Sequence, residues 1–231
     1  MNKRIYNRVR FLGCILLLII IILIWYKMKY YNNEQVYNEQ EYNEDLGTTD
    51  KLYTVVIDPG HGGKDVGATG ASGLYEKDFT LSLSKKVKDI LEKEEKIEVY
   101  MTREEDTFIS TVDKYRPKFA NELDADLFIS IHGNTYKDPN VSGTEAYYYH
   151  EKFKSFAETV YNNVVSSTGF NDRGIKNKDL FVVRYTDMPS VLLEIGYLTN
   201  PQEEQLMFND EFQSSVAEAI ADGVKEYLEI E

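Results

Sequence analysis

Apolar positions follow two different spacings through residues 51–231 of this 231-residue chain. Short runs rich in β-branched and aromatic residues, bounded by glycine, proline or polar residues, are typical of buried strands. They predict strands at 53–57, 97–101, 126–131, 143–150, 180–184 and 191–196. Apolar residues three or four positions apart indicate helices with one buried face, at 76–94, 112–123, 152–167, 201–208 and 211–228. We expect residues 171–178 to form a loop, and Pro117 to start or kink its helix.

The first 50 residues differ in composition from the rest of the chain. The uncharged run 11–26 follows four basic residues and precedes no small-residue cleavage site. We therefore predict an uncleaved signal anchor over 1–26 rather than a cleaved signal peptide. Residues 27–50, rich in Tyr, Asn, Glu and Gln without apolar periodicity, are interpreted as a polar spacer. The remaining segment, 51–231, has the size of one domain, which the anchor would hold on the extracytoplasmic side of a membrane.

Charge and cysteine content narrow the range of functions. Six of the 26 basic residues lie in the first 30 positions, which contain no acid, so the remainder carries 20 basic against 39 acidic residues. A domain this acidic is poorly suited to binding nucleic acid or another anionic polymer through its bulk charge. The only cysteine, Cys14, lies in the predicted anchor, so the domain offers no disulfide and no cysteine ligand or nucleophile.

Two of the predicted strands lead into histidines. His61 follows the first strand within the run Gly60–Gly63, and His132 follows the strand at 126–131. Glu76 lies at or just before the start of the helix after the first strand. Because strand ends of one sheet meet at the same edge, these side chains can converge. Two histidines and one carboxylate suit zinc and leave a fourth position open to water.

A single carboxylate, Glu194, interrupts the apolar strand at 191–196. Zinc lowers the pKa of a water molecule bound to it to about 7. Glu194 could then accept the water proton and pass it to a leaving amine. Asp58, close to His61 in sequence, is a candidate acceptor that would fix the tautomer of that imidazole.

Each candidate also has a structural interpretation. Glu76 could serve only as a partner of the helix dipole. Glu194 could be a core carboxylate paired with an arginine such as Arg103 or Arg116, because a buried charge requires a partner. His150 is interpreted as a structural residue, since no glycine surrounds it.

Longer motifs extend the pattern over nearly all of residues 53–228. In order they are VVIDPGHGGKDVGA, LYEKDF, MTR, ADLFISIHGN, SGTEAYYY, RGIK, LFVVR and MPSVLLEIGYLTNPQEE. Together they resemble the amidase-3 family, zinc N-acetylmuramoyl-L-alanine amidases that cleave bacterial peptidoglycan. The DPGHGG, SIHGN and LEIGYLTN pieces are the most specific parts of this resemblance.

The resemblance implies a fold, a site and a reaction. The fold would be α/β, with a single mixed, mostly parallel β-sheet flanked by helices. His61, Glu76 and His132 would bind Zn²⁺, and Glu194 would be the catalytic carboxylate. The substrate would be peptidoglycan, hydrolysed at the amide between the lactyl group of N-acetylmuramic acid and the L-alanine of the stem peptide.

The chain departs from the family pattern in three places. Gly133 replaces a usual alanine and could loosen the loop beside a ligand, and Pro117 lies within a helix that is normally uninterrupted. The loop 135–142 is too short for the helical insertion that plugs the zinc site of cell-division amidases. Any control of activity would then rest on expression, location, metal loading or a protein partner.

An anchor, a bare catalytic domain and no wall-binding module are most similar to the spore-cortex amidases of the family. This similarity implies a role in forming muramic-δ-lactam, in the forespore intermembrane space, with vegetative wall turnover as the other role open to such an enzyme. Two other functions also stay open. A zinc peptidase would cut within the stem peptide, and a degenerate amidase would act as a non-catalytic wall-binding or regulatory module.

Overall fold

The computed structural model describes residues 51–230 and, ahead of them, only Trp25 and Lys27. The predicted anchor and spacer therefore lie almost entirely outside the described residues and stay predictions. Within the described part of the chain, no helix has the length and apolar character needed to cross a membrane.

Within residues 51–230, six strands form one sheet: β1 (Tyr53–Pro59), β2 (Ile97–Met101), β3 (Leu127–Asn134), β4 (Thr144–Tyr148), β5 (Asp172–Asn177) and β6 (Ser190–Tyr197). Their order across the sheet is β2-β1-β3-β6-β4-β5. The first four strands in this order run parallel to one another. β4 is antiparallel to β6, and β5 is parallel to β4. The predicted fold, a single mixed and mostly parallel sheet flanked by helices, is confirmed.

Helices cover both faces of this sheet. They are α1 (Glu76–Leu91), α2 (Tyr115–Glu122), α3 (Lys154–Thr168), α4 (Phe181–Arg184), α5 (Pro201–Met207) and α6 (Asp210–Leu228). The larger core cluster joins α1, α3 and α6 to one face, and a smaller cluster joins α2 and α4 to the other. Because strand side chains alternate between faces, Val55 and Ile57 of β1 belong to the larger cluster and Val56 to the smaller one.

The helix α5 fixes loops around the carboxyl ends of the strands. Asn200 caps it by accepting the N–H groups of residues 202 and 203. The Glu203 carboxylate accepts the backbone N–H of Gly143 at 2.7 Å, ahead of β4. Glu204 accepts both the N–H and the hydroxyl of Ser72, at 2.8 and 2.9 Å. The loop that leads into α1 is thereby tied to the helix that follows β6.

Two predicted elements are wrong. Residues 171–178, expected to form a loop, contain the edge strand β5. Its sequence, DRGIKN, lacks apolar alternation because no residue of this edge strand is fully buried. Residues 180–184, expected to form a strand, contain the helical turn α4, which buries Val182 and Val183. Periodicity cannot separate a helical turn from a strand in so short an apolar run.

Other boundaries differ by a few residues. The helix predicted at 112–123 begins at Tyr115, with Pro117 in its first turn, where the missing N–H has no helical partner to lose. The helix α1 ends at Leu91 rather than at residue 94. The strand β3 continues through His132 to Asn134.

Candidate metal centre

The loop after β1 presents His61 in an unusual backbone conformation. His61 itself has a positive φ of 61°, which is uncommon for a residue with a side chain. A Cβ atom at Gly60 would lie 2.3 Å from the His132 ring, and one at Gly67 would lie 2.5 Å from a Glu76 carboxylate oxygen. Glycine at these two positions therefore allows the backbone to approach the three polar side chains closely.

Three predicted ligands meet at the carboxyl ends of β1 and β3. Glu76 Oε1 lies 3.1 Å from His61 Nε2 and 2.8 Å from His132 Nδ1. The two imidazoles are 5.0 Å apart between ring centroids and nearly perpendicular. One donor atom from each of His61, Glu76 and His132 lies within 4.8 Å of the others. The structure thus brings together the group predicted from sequence, and this group could hold a metal ion.

Glu76 is the first residue of α1, as the helix-dipole interpretation requires. Its carboxylate also contacts both histidines and two backbone N–H groups outside the helix. It is 4% exposed and accepts the N–H of Ala68 at 2.7 Å and that of Gly133 at 3.1 Å. Burial alone would raise the pKa of Glu76, yet the contacts with His132 and His61 outweigh it and lower the pKa. Glu76 is therefore ionised at neutral pH and carries a fixed negative charge between the two histidines.

Asp65, not Asp58, is the acceptor beside His61. The Nδ1 atom of His61 lies 3.0 Å from Asp65 Oδ1, on the ring edge opposite the Nε2 atom that faces Glu76. A carboxylate at the remote nitrogen of a ligating histidine fixes its tautomer and orientation. Asp65 lies four residues after His61 in HGGKD. The closeness of Asp65 to His61 within this glycine-rich loop was the signal in the sequence that could have identified it.

Asp58 belongs to a buried network behind the loop. It is fully buried and accepts hydrogen bonds from Thr102 at 2.6 Å, from Ser130 at 2.7 Å and from the Arg116 guanidinium. Arg116 also donates to the His61 carbonyl oxygen at 2.7 Å. Burial raises the pKa of Asp58, but the Arg116 charge and these hydrogen bonds lower it overall. Asp58 is linked to His61 only through Arg116, which binds the His61 carbonyl oxygen. The predicted contact between Asp58 and the His61 imidazole is therefore wrong.

Glu194 lies on β6 directly opposite His132 of β3. The side chain is half-buried, and among the described residues nothing donates a hydrogen bond to its shielded Oε2 atom. Burial, together with the charges of Glu76 and Glu145, raises the pKa of Glu194 well above its usual range.

The alternative in which an arginine neutralises Glu194 is wrong. Arg103 donates to the carbonyl oxygens of Pro59 and Gly60, and Arg116 pairs with Asp58. Both guanidinium groups therefore support the β1 loop.

A cavity of about 230 Å³ opens beside these groups. The two histidines and Glu194 share its wall with Tyr147, Lys178 and apolar residues of the α4 segment. Lys178 was not singled out in the sequence, because nothing local distinguishes it from other lysines. His150 is not a member of the donor group; its Nε2 atom lies 3.0 Å from the Arg184 carbonyl oxygen. The structural interpretation of His150 is consistent with this contact.

Residues 55–226 match the amidase-3 family, described as N-acetylmuramoyl-L-alanine amidase. The chain belongs to the amidase-3 family. The predicted enzyme class is thereby confirmed. Gly133, named above as a departure from the family pattern, lies within β3 rather than in a loop. An alanine Cβ there would lie 3.0 Å from the side-chain ends of Leu198 and Met207, so glycine relieves a tight contact beside His132.

Individual relatives of this amidase-3 chain extend the comparison. YqiI of Bacillus subtilis (strain 168), an uncharacterized protein, is 40% identical over 180 residues, which are 76% of this chain and 85% of YqiI. The catalytic domain of CwlV, an N-acetylmuramoyl-L-alanine amidase from Bacillus (Paenibacillus) polymyxa var. colistinus, is 45% identical with a TM-score of 0.76. That alignment covers 78% of this chain and 100% of the CwlV domain.

The CwlD amidase from Clostridioides difficile, whose structure was solved in complex with the GerS lipoprotein, is also similar. It is 28% identical with a TM-score of 0.70, over 78% of this chain and 100% of CwlD.

Proposed function

We propose that this protein is a zinc-dependent amidase that hydrolyses the bond between N-acetylmuramic acid and L-alanine in bacterial peptidoglycan. The observation that carries the proposal is the convergence of His61, Glu76 and His132 beside Glu194 at one edge of the sheet. Family membership indicates which bond is cleaved. The four side chains support metal-assisted hydrolysis as the way in which it is cleaved.

The donor set fits zinc. Two imidazoles and a carboxylate are common ligands of catalytic zinc, and donors sharing a tetrahedral ion lie roughly 3.3 Å apart. The separations from Glu76 Oε1 to the two histidines, 3.1 and 2.8 Å, are close to this spacing. Zinc held there would supply a Lewis acid for the amide carbonyl and for water. Asp65 would keep His61 in the tautomer that leaves Nε2 free to bind.

Glu194 would move the proton. It accepts a proton from the attacking water as oxygen adds to the carbonyl carbon, and it returns the proton to the nitrogen as the C–N bond breaks. The products are a free lactyl carboxyl group and the free amino group of L-alanine. A carboxyl whose pKa is raised by burial is better matched to proton exchange near neutral pH than an ordinary surface glutamate.

The test combines metal content with product analysis. The purified protein should contain about one zinc per chain and release L-alanyl peptides from peptidoglycan, identified by mass spectrometry. His132→Ala should lose both zinc and activity, because it removes one of three ligands. His150→Ala is the matched control, since it removes a histidine outside the donor group and should retain both. Full activity in zinc-free His132→Ala would contradict the proposal.

The same products separate the alternatives. A stem-peptide endopeptidase would expose the amino group of an internal residue rather than that of L-alanine. A degenerate module would bind peptidoglycan without releasing any peptide. The joint presence of three ligands and Glu194 supports a catalytic role over the degenerate one.

We also propose, as the biological role, maturation of the spore cortex on the extracytoplasmic side of a membrane. Its support is the resemblance of the sequence to spore-cortex amidases and the basic and apolar pattern of residues 1–26. The complex of CwlD with a lipoprotein supports a protein partner for this chain as well. Deleting the gene should remove muramic-δ-lactam from cortex peptidoglycan. Unchanged cortex with altered vegetative wall would instead assign the enzyme to wall turnover.

A further inference from the structure

A lysine lines the catalytic cavity without a role in the proton transfer just described. Lys178 follows β5 and shares the cavity wall with Glu194 and Tyr147. Its ammonium nitrogen lies 4.4 Å from the centroid of the Tyr147 ring. Its backbone is fixed on both sides, because its N–H donates to the Tyr148 carbonyl and its carbonyl accepts the Leu180 N–H, both at 2.9 Å. The cation therefore projects from a well-anchored position.

The charge of Lys178 is not neutralised locally. Lys176, two residues earlier, is ion-paired with Glu145, and Arg184 pairs with Asp179 at 2.6 Å. Among residues 51–230, no carboxylate lies within ion-pair distance of the Lys178 ammonium group. In a chain with 39 acidic and 26 basic residues, a cation that faces a cavity without a carboxylate partner is available for an anionic ligand.

The position of Lys178 relative to Glu194 indicates which part of the substrate it would meet. Across the sheet, β1 leads to His61, β3 carries His132, β6 carries Glu194, and β4 and β5 follow. Lys178, directly after β5, therefore lies beyond Glu194 as seen from the two histidines, and Glu194 is the carboxylate that returns the proton to the leaving nitrogen. The leaving peptide begins at that nitrogen, so Lys178 lies on the peptide side of the scissile bond.

Resting on the proposed amidase function, we propose that Lys178 forms an anion subsite that binds a carboxylate of the peptide leaving group. The carboxylate would belong to the residue after L-alanine, where a stem peptide carries either a free α-carboxyl group or its amide. The Tyr147 ring supports the alkyl chain and the ammonium group of Lys178. Lys178 is a specificity-determining residue here, distinct from the metal ligands and from Glu194.

The physical basis is a charge-assisted hydrogen bond that the amidated peptide cannot match. Hydrogen bonds between charged groups are roughly twice as strong as neutral ones. Because Lys178 is exposed at the cavity rim, solvent screening limits the effect. We therefore expect discrimination of about tenfold between the acid and the amide, rather than complete exclusion of the amide.

The experiment compares two synthetic substrates that differ in a single group. They are N-acetylmuramoyl-L-alanyl-D-glutamate and N-acetylmuramoyl-L-alanyl-D-isoglutamine, in which the α-carboxylate becomes an amide. The variants are Lys178→Gln, which removes the charge, and Lys178→Arg, which keeps it. Lys152→Gln is the matched control, because Lys152 lies 4.3 Å above the Phe153 ring outside the catalytic cavity and its loss changes the net charge equally.

For the full-length protein, kcat/KM should be about tenfold higher on the acid than on the amide. Lys178→Gln should abolish this preference by raising KM for the acid, with kcat and the amide kinetics nearly unchanged. Lys178→Arg should keep most of the preference, and Lys152→Gln should keep all of it.

Two outcomes would overturn the subsite. If the wild type cleaves both substrates equally well, or if Lys178→Gln slows both to the same extent, Lys178 does not bind the peptide carboxylate. The subsite would then be wrong while the amidase function stands. If the wild type releases no L-alanyl peptide from either substrate or from whole peptidoglycan, the proposed function itself is wrong and the subsite with it.

Discussion

Asp58 and Glu194 are both shielded carboxyl groups near the carboxyl ends of strands in the same sheet, yet their surroundings differ. Asp58 accepts hydrogen bonds from Thr102, Ser130 and Arg116, and its pKa is lowered. Glu194 has an oxygen to which no described residue donates, and its pKa is raised. The number of donors and the sign of neighbouring charges separate a structural carboxylate from a reactive one.

The comparison also shows how the two groups cooperate. Asp58 fixes Arg116, and Arg116 holds the His61 carbonyl oxygen at 2.7 Å. Glu194 lies beside His132, because β3 and β6 are neighbouring strands and the two residues are register partners. A satisfied carboxylate thus stabilises the loop that carries one histidine, while an unsatisfied carboxylate faces the cavity. Substitution of either acid by its amide tests this division.

Glu194→Gln should have the largest effect on activity. Loss of a positioned proton carrier lowers kcat about 10²- to 10⁴-fold. The unfolding temperature should stay the same or rise, because the substitution removes a half-buried carboxyl group with one oxygen to which no described residue donates. Steady-state hydrolysis measures the loss of kcat, and thermal unfolding of the same preparation measures the change in unfolding temperature. Near-normal turnover would show that Glu194 does not carry the proton.

Asp58→Asn should have the opposite profile, with a large loss of stability. It leaves the buried Arg116 guanidinium without its counter-ion, at a cost of about 3–5 kcal/mol in the free energy of unfolding. Denaturant unfolding at neutral pH measures the difference, and Glu194→Gln serves as the matched acid-to-amide control. A fully stable Asp58→Asn variant would mean that the network contributes nothing to folding.

Acid should reduce the difference between wild type and Asp58→Asn. The folded-state pKa of Asp58 lies below its usual value. Its stabilising contribution is therefore present above the unfolded-state pKa of about 4 and declines as pH falls through the lower, folded-state pKa. The difference in unfolding free energy between wild type and Asp58→Asn should be smaller near pH 3 than at pH 7. A constant difference across this interval would assign the effect of the substitution to packing.

Asp65→Asn should give a smaller, metal-specific effect. Loss of the carboxylate behind His61 weakens its orientation and should reduce zinc affinity about 10- to 100-fold. Chelator competition measures the change in zinc affinity. The free energy of unfolding of the metal-free protein should be unaltered, because Asp65 is partly exposed. Asp222→Asn, which removes an acid paired with Lys225 on α6, is the control and should bind zinc normally. Equal affinity in all three proteins would remove Asp65 from the site.

The sequence alone determined the central sheet and the donor group of this protein. Apolar runs encode burial, so the strands that became β1, β3 and β6 were predicted from composition and length. Glycines around His61 and the histidine after a buried strand marked the same sheet edge. Glu194 stood out because a carboxylate in an apolar strand requires an explanation.

Only the tertiary structure decided the partners of these groups. Asp58 and Arg116 are separated by 58 residues, and His132 and Glu76 by 56, so no local pattern connects them. The edge strand β5 has no fully buried residue and therefore no apolar signature. Lys178 became significant only once the fold placed it on the wall of the same cavity as Glu194. Sequence periodicity reports which residues are buried, whereas hydrogen-bond partners and charge neighbours depend on how distant segments pack.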